Sequence, residues 1–345
     1  MKIGNLKPEV PVIQGGMGIG VSLSGLAGAV AKEGAVGIIS PAQIGYRDQD
    51  FDTNPVECNL RAIKSEVKKA REISNGGIIG VNIMTATRFY ERYVKAAVEA
   101  GVDLIISGAG LPVDLPKLTE GSSVKISPIV SSLKAYNVIT KLWKKKYNRL
   151  PDLLVIEGPL AGGHLGFSKD DLKNYSKTEY DNEIVNIIEA VRKTEKENDC
   201  NIPVVVGGGV YDRADMDYYL NLGADGVQIA TRFVPTYECD ASQAFKDMYI
   251  KAEEKDIEII TSPVGMPGRA IRNKFIEMVD SGKRMLAPCR QCISKCNPAE
   301  IPYCITKALI NAVTGDVDNG LVFCGHNAYR CSGMERVSDI IQEFR

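Results

Sequence analysis

Two glycine-rich runs, Val205-Val206-Gly207-Gly208-Gly209-Val210 and Gly226-Val227-Gln228-Ile229-Ala230-Thr231-Arg232, stand one repeat apart in the chain. Glycine lets backbone N–H groups come close to phosphate oxygens, and a helix N-terminus that follows adds partial positive charge, so neither run needs a lysine. Such glycines also serve tight turns. Their pairing, through Gly207, Gly208, Gly209, Gln228, Ala230 and Thr231, is what argues for a bound phosphate. The chain has only two histidines. His164 closes the run Glu157-Gly158-Pro159-Leu160-Ala161-Gly162-Gly163-His164, where an imidazole could bond a substrate oxyanion or move a proton near neutral pH. His326, in Cys324-Gly325-His326-Asn327, reads as structural, and no serine–histidine–aspartate arrangement is evident.

A planar redox ring such as isoalloxazine needs a flat, largely apolar cleft with a few polar contacts and a backbone that can approach closely. Gly15, Gly16 and Met17, in Gln14-Gly15-Gly16-Met17-Gly18-Ile19-Gly20, offer that approach and a thioether for one ring face. Asn82, Ser131, Ser132 and Glu157 supply polar groups beside Gly162 and Gly163, although each polar residue could equally cap a helix.

Four of the nine cysteines fall in one segment, Cys289-x2-Cys292-x3-Cys296-x7-Cys304. This spacing suits a 4Fe–4S cluster or zinc; the alternative is four reduced thiols in a tightly turned tail.

These residues must be positioned by repeated elements. Eight short runs rich in β-branched residues recur: Pro11–Gly16, Val36–Ser40, Ile78–Met84, Leu104–Gly110, Lys125–Ser131, Leu153–Gly158, Pro203–Gly209 and Gly226–Phe233. Their nearly continuous hydrophobicity requires cover on both faces, as in a parallel sheet, and the stretches between them suit amphipathic helices. Ser22 or Ser24 is the expected cap of the first helix; later ones run over Arg88–Ala100 and Glu183–Glu197, and from Asp212 to Gly223. Eight βα units predict an α/β fold of the (β/α)8 TIM-barrel type rather than an open doubly wound sheet, because glycines crowd many strand ends. The expected barrel covers residues 1–256. A polar, lid-like insertion follows the sixth strand between Gly166 and Asp181, and a Cys-rich C-terminal extension, 257–345, packs on the barrel.

With 44% hydrophobic and 25% charged residues and a formal net charge of −1, the chain is expected to be soluble and globular and offers no field for nucleic acid or anionic membranes. Its start lacks a signal-peptide pattern and charges interrupt every apolar run, so a cytoplasmic location and no membrane partner are expected. A small-molecule substrate is the expected partner, with a homodimer one assembly left open.

The stretches Pro11–Met17, Glu157–His164, Gly207–Gly209, Gly226–Arg232 and Ser262–Ala270 together resemble the nitronate monooxygenase (2-nitropropane dioxygenase-like) family, which includes the flavin-type enoyl-acyl-carrier-protein reductases. The resemblance spans most of the chain in the family's motif order. It implies a TIM barrel, one noncovalent FMN, and a histidine at the His164 position that meets substrate near the flavin N5. In the monooxygenase branch an alkyl nitronate reduces the flavin and oxygen reoxidises it, giving a carbonyl compound and nitrite. In the reductase branch NAD(P)H reduces the flavin, which then reduces an enoyl thioester. Gly268–Asn273 resembles the reductases and Ser262–Pro267 the proteins assigned as nitronate monooxygenases. Nitronate oxidation is the first expectation, enoyl-thioester reduction the alternative, and a non-redox phosphate-ligand barrel a third. The cysteine segment departs from the best-known members of both branches.

Overall fold

The computed structural model spans Met1–Arg345. In chain order its elements are β1 (Val12–Gln14), α1 (Ser24–Lys32), β2 (Val36–Ile39), α2 (Pro55–Ser74), β3 (Ile78–Met84), α3 (Tyr90–Glu99), β4 (Leu104–Gly108), α4 (Leu115–Leu118), β5 (Lys125–Val130) and α5 (Leu133–Tyr147). They continue with β6 (Leu154–Glu157), β7 (Gly163–His164), α6 (Lys169–Lys173), α7 (Lys177–Asn198), β8 (Val204–Gly207), α8 (Arg213–Asn221), β9 (Gly226–Ile229) and α9 (Gln243–Lys251). The chain ends with β10 (Ile257–Thr261), β11 (Pro267–Ile271), α10 (Lys274–Asp280), α11 (Ile305–Thr314) and α12 (Val337–Glu343). Eight strands close in the order β1-β2-β3-β4-β5-β6-β8-β9, all parallel, with β9 paired back to β1; the fold is a (β/α)8 TIM barrel. No helix is long and apolar enough to cross a membrane.

Strand periodicity sorts the side chains. Ile13, Val36, Ile38, Leu104, Ile106, Leu153, Val155 and Val205 meet inside the barrel, and Ile3 joins them through a short N-terminal turn. Their neighbours Ile39, Ile105, Leu154, Ile156, Val204 and Val206 face outward into the main helix–sheet core. A step of two from each inward residue leads to the strand's carboxyl end: Gly15 follows Ile13, Gly108 follows Ile106, Glu157 follows Val155 and Gly207 follows Val205. The pleat that fills the barrel therefore also aims the site residues at its mouth.

Three features differ from the sequence expectation. The first helix is not capped by Ser22 or Ser24. Asp240 reaches in from far along the chain, its carboxylate accepting from the N–H groups of Leu23, Gly25 and Leu26 at 2.8, 3.1 and 3.1 Å. Ser22 Oγ instead accepts from Met17 N at 2.8 Å. Second, the helix that covers the eighth strand position does not follow β9. It is α12, whose Val337, Ile340 and Ile341, with Phe344, join the main core. Arg232, just past β9, pairs with Glu335 and Glu343 at 2.8 Å each, which ties the strand end to this returning helix. Third, the expected insertion between Gly166 and Asp181 is not one long loop: it carries α6 and the start of α7, and just before it β7 pairs with β11, which pairs with β10, to make a small antiparallel sheet beside the barrel mouth.

Candidate active site

A cavity of about 430 Å³ opens at the carboxyl ends of the strands. All the residues expected to touch a cofactor line it: Gly15, Gly16, Met17, Asn82, Ser131, Glu157, Gly162, Gly163, the triplet Gly207–Gly209, Gln228, Ala230 and Thr231, with His164 among them. Strand register gathers part of this set, since Gly15, Asn82, Ser131, Glu157, Gly207, Gln228 and Ala230 occupy the inward-facing parity.

The glycine triplet is shaped for an anion. Gly208 and Gly209 adopt φ of +98° and +89°, a region in which L side chains are strained. A Cβ on Gly208 would also lie 3.0 Å from Ala161 N and from Gly158 O. Neither the Gly208 nor the Gly209 N–H has a protein acceptor, so two backbone donors stand ready for phosphate oxygens. The turn is braced from the other end of the chain, where Asn327 Nδ2 donates to Gly209 O at 2.8 Å. Gly162 has a packing role as well, because a Cβ there would come 2.6 Å from the Cys324 carbonyl carbon.

Next to this turn, Gln228 Oε1 is buried without a hydrogen-bond partner. A buried acceptor left unpaired costs roughly 1–3 kcal/mol, and a ring N–H such as the one on the pyrimidine edge of isoalloxazine would satisfy it. The unpaired N–H pair, the orphaned amide oxygen, the close-approaching Gly15 and Gly16 and the cavity volume all fit FMN.

His164 is held by sheet pairing: Gly163 and His164 stand opposite Arg269 and Gly268 of β11. Its Nε2 shares a 2.6 Å hydrogen bond with Ser262 Oγ, and its ring meets the Phe323 ring edge-on at 4.9 Å. No protein group bonds Nδ1. Burial lowers the imidazole pKa to about 4, so the ring is neutral across the physiological range. Glu157 shows the opposite response to the same cause, with burial pushing its carboxyl up to about 7. Its backbone carbonyl accepts from Tyr180 Oη at 2.9 Å, while its carboxyl has no protein partner. The cavity thus keeps both titratable groups uncharged at pH 6.

Ser262, Phe323 and Met266 also belong to this site, although none was among the expected site residues. Ser262 opens the Ser262–Ala270 stretch, but only the β7–β11 register reveals that it faces a histidine 98 positions earlier. The four clustered cysteines do not line the cavity. All nine cysteines are free, and no three of the sulfurs of Cys289, Cys292, Cys296 and Cys304 lie within 4.8 Å of one another. That spacing gives the zinc expectation no support, because sulfurs bound tetrahedrally at about 2.3 Å from one ion sit roughly 4 Å apart. Three potential metal-binding groups do come within 4.8 Å, Asp48, Asp50 and Cys58, but Arg61 already pairs with both carboxylates.

Known proteins resemble this chain in sequence or in fold. A family model described as nitronate monooxygenase matches residues 1–345. A probable nitronate monooxygenase of Staphylococcus aureus (strain Newman) is 26% identical over 306 residues, covering 79% of this chain and 78% of that protein. A (3aS,4S,5R,7aS)-5-hydroxy-7a-methyl-1-oxo-octahydro-1H-indene-4-carboxyl-CoA dehydrogenase of Mycobacterium tuberculosis is 27% identical over 278 residues, covering 80% of this chain and 67% of that protein. Among solved structures, FabK from Thermotoga maritima superposes with a TM-score of 0.74 at 23% identity, over 97% of this chain and 91% of that one, a likeness of fold.

Proposed function

The chain belongs to the nitronate monooxygenase family of oxidoreductases, and on that premise we propose that it is an FMN-dependent enzyme that oxidises alkyl nitronates with oxygen to carbonyl compounds and nitrite. The observation that carries this reading is the meeting, in one cavity, of two unpaired glycine N–H groups with an uncharged histidine. The Gly208 and Gly209 N–H groups would hold the cofactor phosphate, Gln228 Oε1 would accept from the ring N–H, and Gly15, Gly16 and Met17 would lie against the ring. When bound, FMN supplies a two-electron acceptor that oxygen can recharge.

A nitronate is an anion with its charge on oxygen. In this reading Ser262 Oγ–H donates to Nε2, which fixes the proton on Nδ1 and leaves that N–H to donate to a nitronate oxygen. Being neutral, the imidazole orients the substrate without taking or giving a proton at the start. Protonated Glu157 places no competing charge beside the anion, and burial strengthens each hydrogen bond by excluding water. The test is oxygen uptake by the purified yellow protein given propyl nitronate, with nitrite formed alongside. Absence of both would remove the nitronate reading.

A second reading rests on the similarity to the carboxyl-CoA dehydrogenase and on apolar groups lining the cavity, Met84, Leu111 and Ala135, which suit a carbon chain. It is NAD(P)H-dependent reduction of an enoyl thioester. Anaerobic bleaching of the flavin by NADPH, followed by reoxidation with a crotonyl thioester, would favour it; no bleaching by either nicotinamide would remove it.

A further inference from the structure

Between α10 and α11 the chain runs from Ser281 to Cys304 without a helix or a strand. Apolar burial holds it mainly at its base, through Ile301 and Tyr303; between Ser281 and Glu300 most residues are exposed, Leu286 to 52%. A stretch of this length without its own secondary structure is uncommon in a domain and is often functional, and a bound metal can supply the folding energy that a small core does not. We propose that Cys289, Cys292, Cys296 and Cys304 bind a 4Fe–4S cluster that holds this segment together.

Three sets of bonds, two of backbone and one involving side chains, fix the path on which the thiols stand. Met285 and Tyr303 pair at the base, where Cys304 N donates to Met285 O and Met285 N to Pro302 O, both at 2.9 Å, so the fourth cysteine returns to the start of the loop. In the middle, Ile293 bridges to Thr87, Arg88 N donates to Cys292 O at 3.0 Å and Ser294 N donates to Ala86 O at 3.0 Å. Beside Cys289, Arg290 pairs with Asp52 at 2.6 Å and its carbonyl accepts from Gln43 Nε2 at 3.3 Å. Cys292 packs against the apolar cluster that contains Tyr303 and Ile305, on either side of Cys304.

Charge fits the same cargo. From Ser281 to Cys304 the segment carries Lys283, Arg284, Lys295 and the Asp52-paired Arg290 against a single acidic residue, Glu300. A cluster ligated by four thiolates is anionic, and this field suits it. Sulfur spacing distinguishes the two metal chemistries open to four cysteines. No three of the sulfurs lie within 4.8 Å of one another, the closeness one zinc ion would require, whereas a cubane seats each thiolate on a different iron and so spreads the sulfurs wider.

The test is to purify the full-length protein anaerobically and measure iron, acid-labile sulfide and zinc per chain, together with the electron paramagnetic resonance spectrum after dithionite. We expect about four irons and four sulfides per chain and a signal from the reduced cluster. Cys292→Ala and, separately, the more exposed Cys289→Ser should each lose most of the iron while circular dichroism remains native. Cys200→Ser, at an exposed cysteine elsewhere, should keep it. One zinc per chain without sulfide would overturn the proposal. So would four titratable thiols without metal after anaerobic reconstitution with iron and sulfide, or full iron content in both loop variants.

Discussion

His164 and Glu157 start from ordinary side chains and are tuned in opposite directions by one physical cause, the cost of charge in a buried cavity. His164→Ala should leave FMN bound and lower nitronate turnover by ~10²–10⁴, the range for lost proton-transfer or oxyanion groups. Turnover unchanged in stopped-flow assays would return His164 to a packing role. For Glu157 the sign is fixed by its raised pKa. Below about 7 the carboxyl is neutral, and as pH rises through that value a carboxylate forms beside the anionic substrate. The specificity constant kcat/KM for propyl nitronate should therefore fall on the alkaline side of pH 7, and Glu157→Gln should flatten that limb. A limb that survives the substitution would show that another group titrates. His164 was legible in the sequence, because a scarce residue stood at a strand's glycine-rich end. Ser262 was not, since its hydrogen bond depends on which strands pair across 98 positions.

At the scale of elements, strand parity made the site readable: hydrophobic runs ending in glycine or a polar residue disclosed both the strands and what they point at the mouth. Helix termini were not readable in the same way. Asp240, which caps α1, lies beyond the eighth barrel strand, and no local signal near Ser22 or Ser24 announces it. The turn after β8 shows how an element can be tested separately from the fold. Gly208→Ala introduces a Cβ at φ +98°, 3.0 Å from Ala161 N, in the cradle expected to hold phosphate. The left-handed backbone alone costs about 1–2 kcal/mol, and the cradle must also open. Fluorescence titration of the apoprotein should show FMN bound at least ~10-fold more weakly. Gly76→Ala supplies the control, with a similar φ of +94° but nothing within 4 Å of the added Cβ. If both variants bind FMN alike, the cradle is not where phosphate sits.

The whole molecule is closed by its far end. Reading the chain in order places the barrel before residue 257, yet the helix in the eighth position is α12, and Asn327 from the same C-terminal arm braces the Gly209 turn. No periodicity in residues 230–256 could disclose this, because the vacancy left after β9 is filled by chain about a hundred residues later. One arm thus seals the barrel wall and supports the cofactor cradle, so the two should fail together. Phe344, 1% exposed in the main core, is the residue on which to test that link. Phe344→Ala should cost ~3–5 kcal/mol, a fall in Tm of roughly 5–10 °C. Val138→Ala, at a side chain 39% exposed on α5, should change stability by less than ~0.5 kcal/mol. If the arm couples wall and cradle, flavin release followed by fluorescence and unfolding followed by circular dichroism will move down in temperature together in the Phe344 variant. Flavin lost well before the barrel melts, or retained after it, would mean that the arm's two contacts act independently.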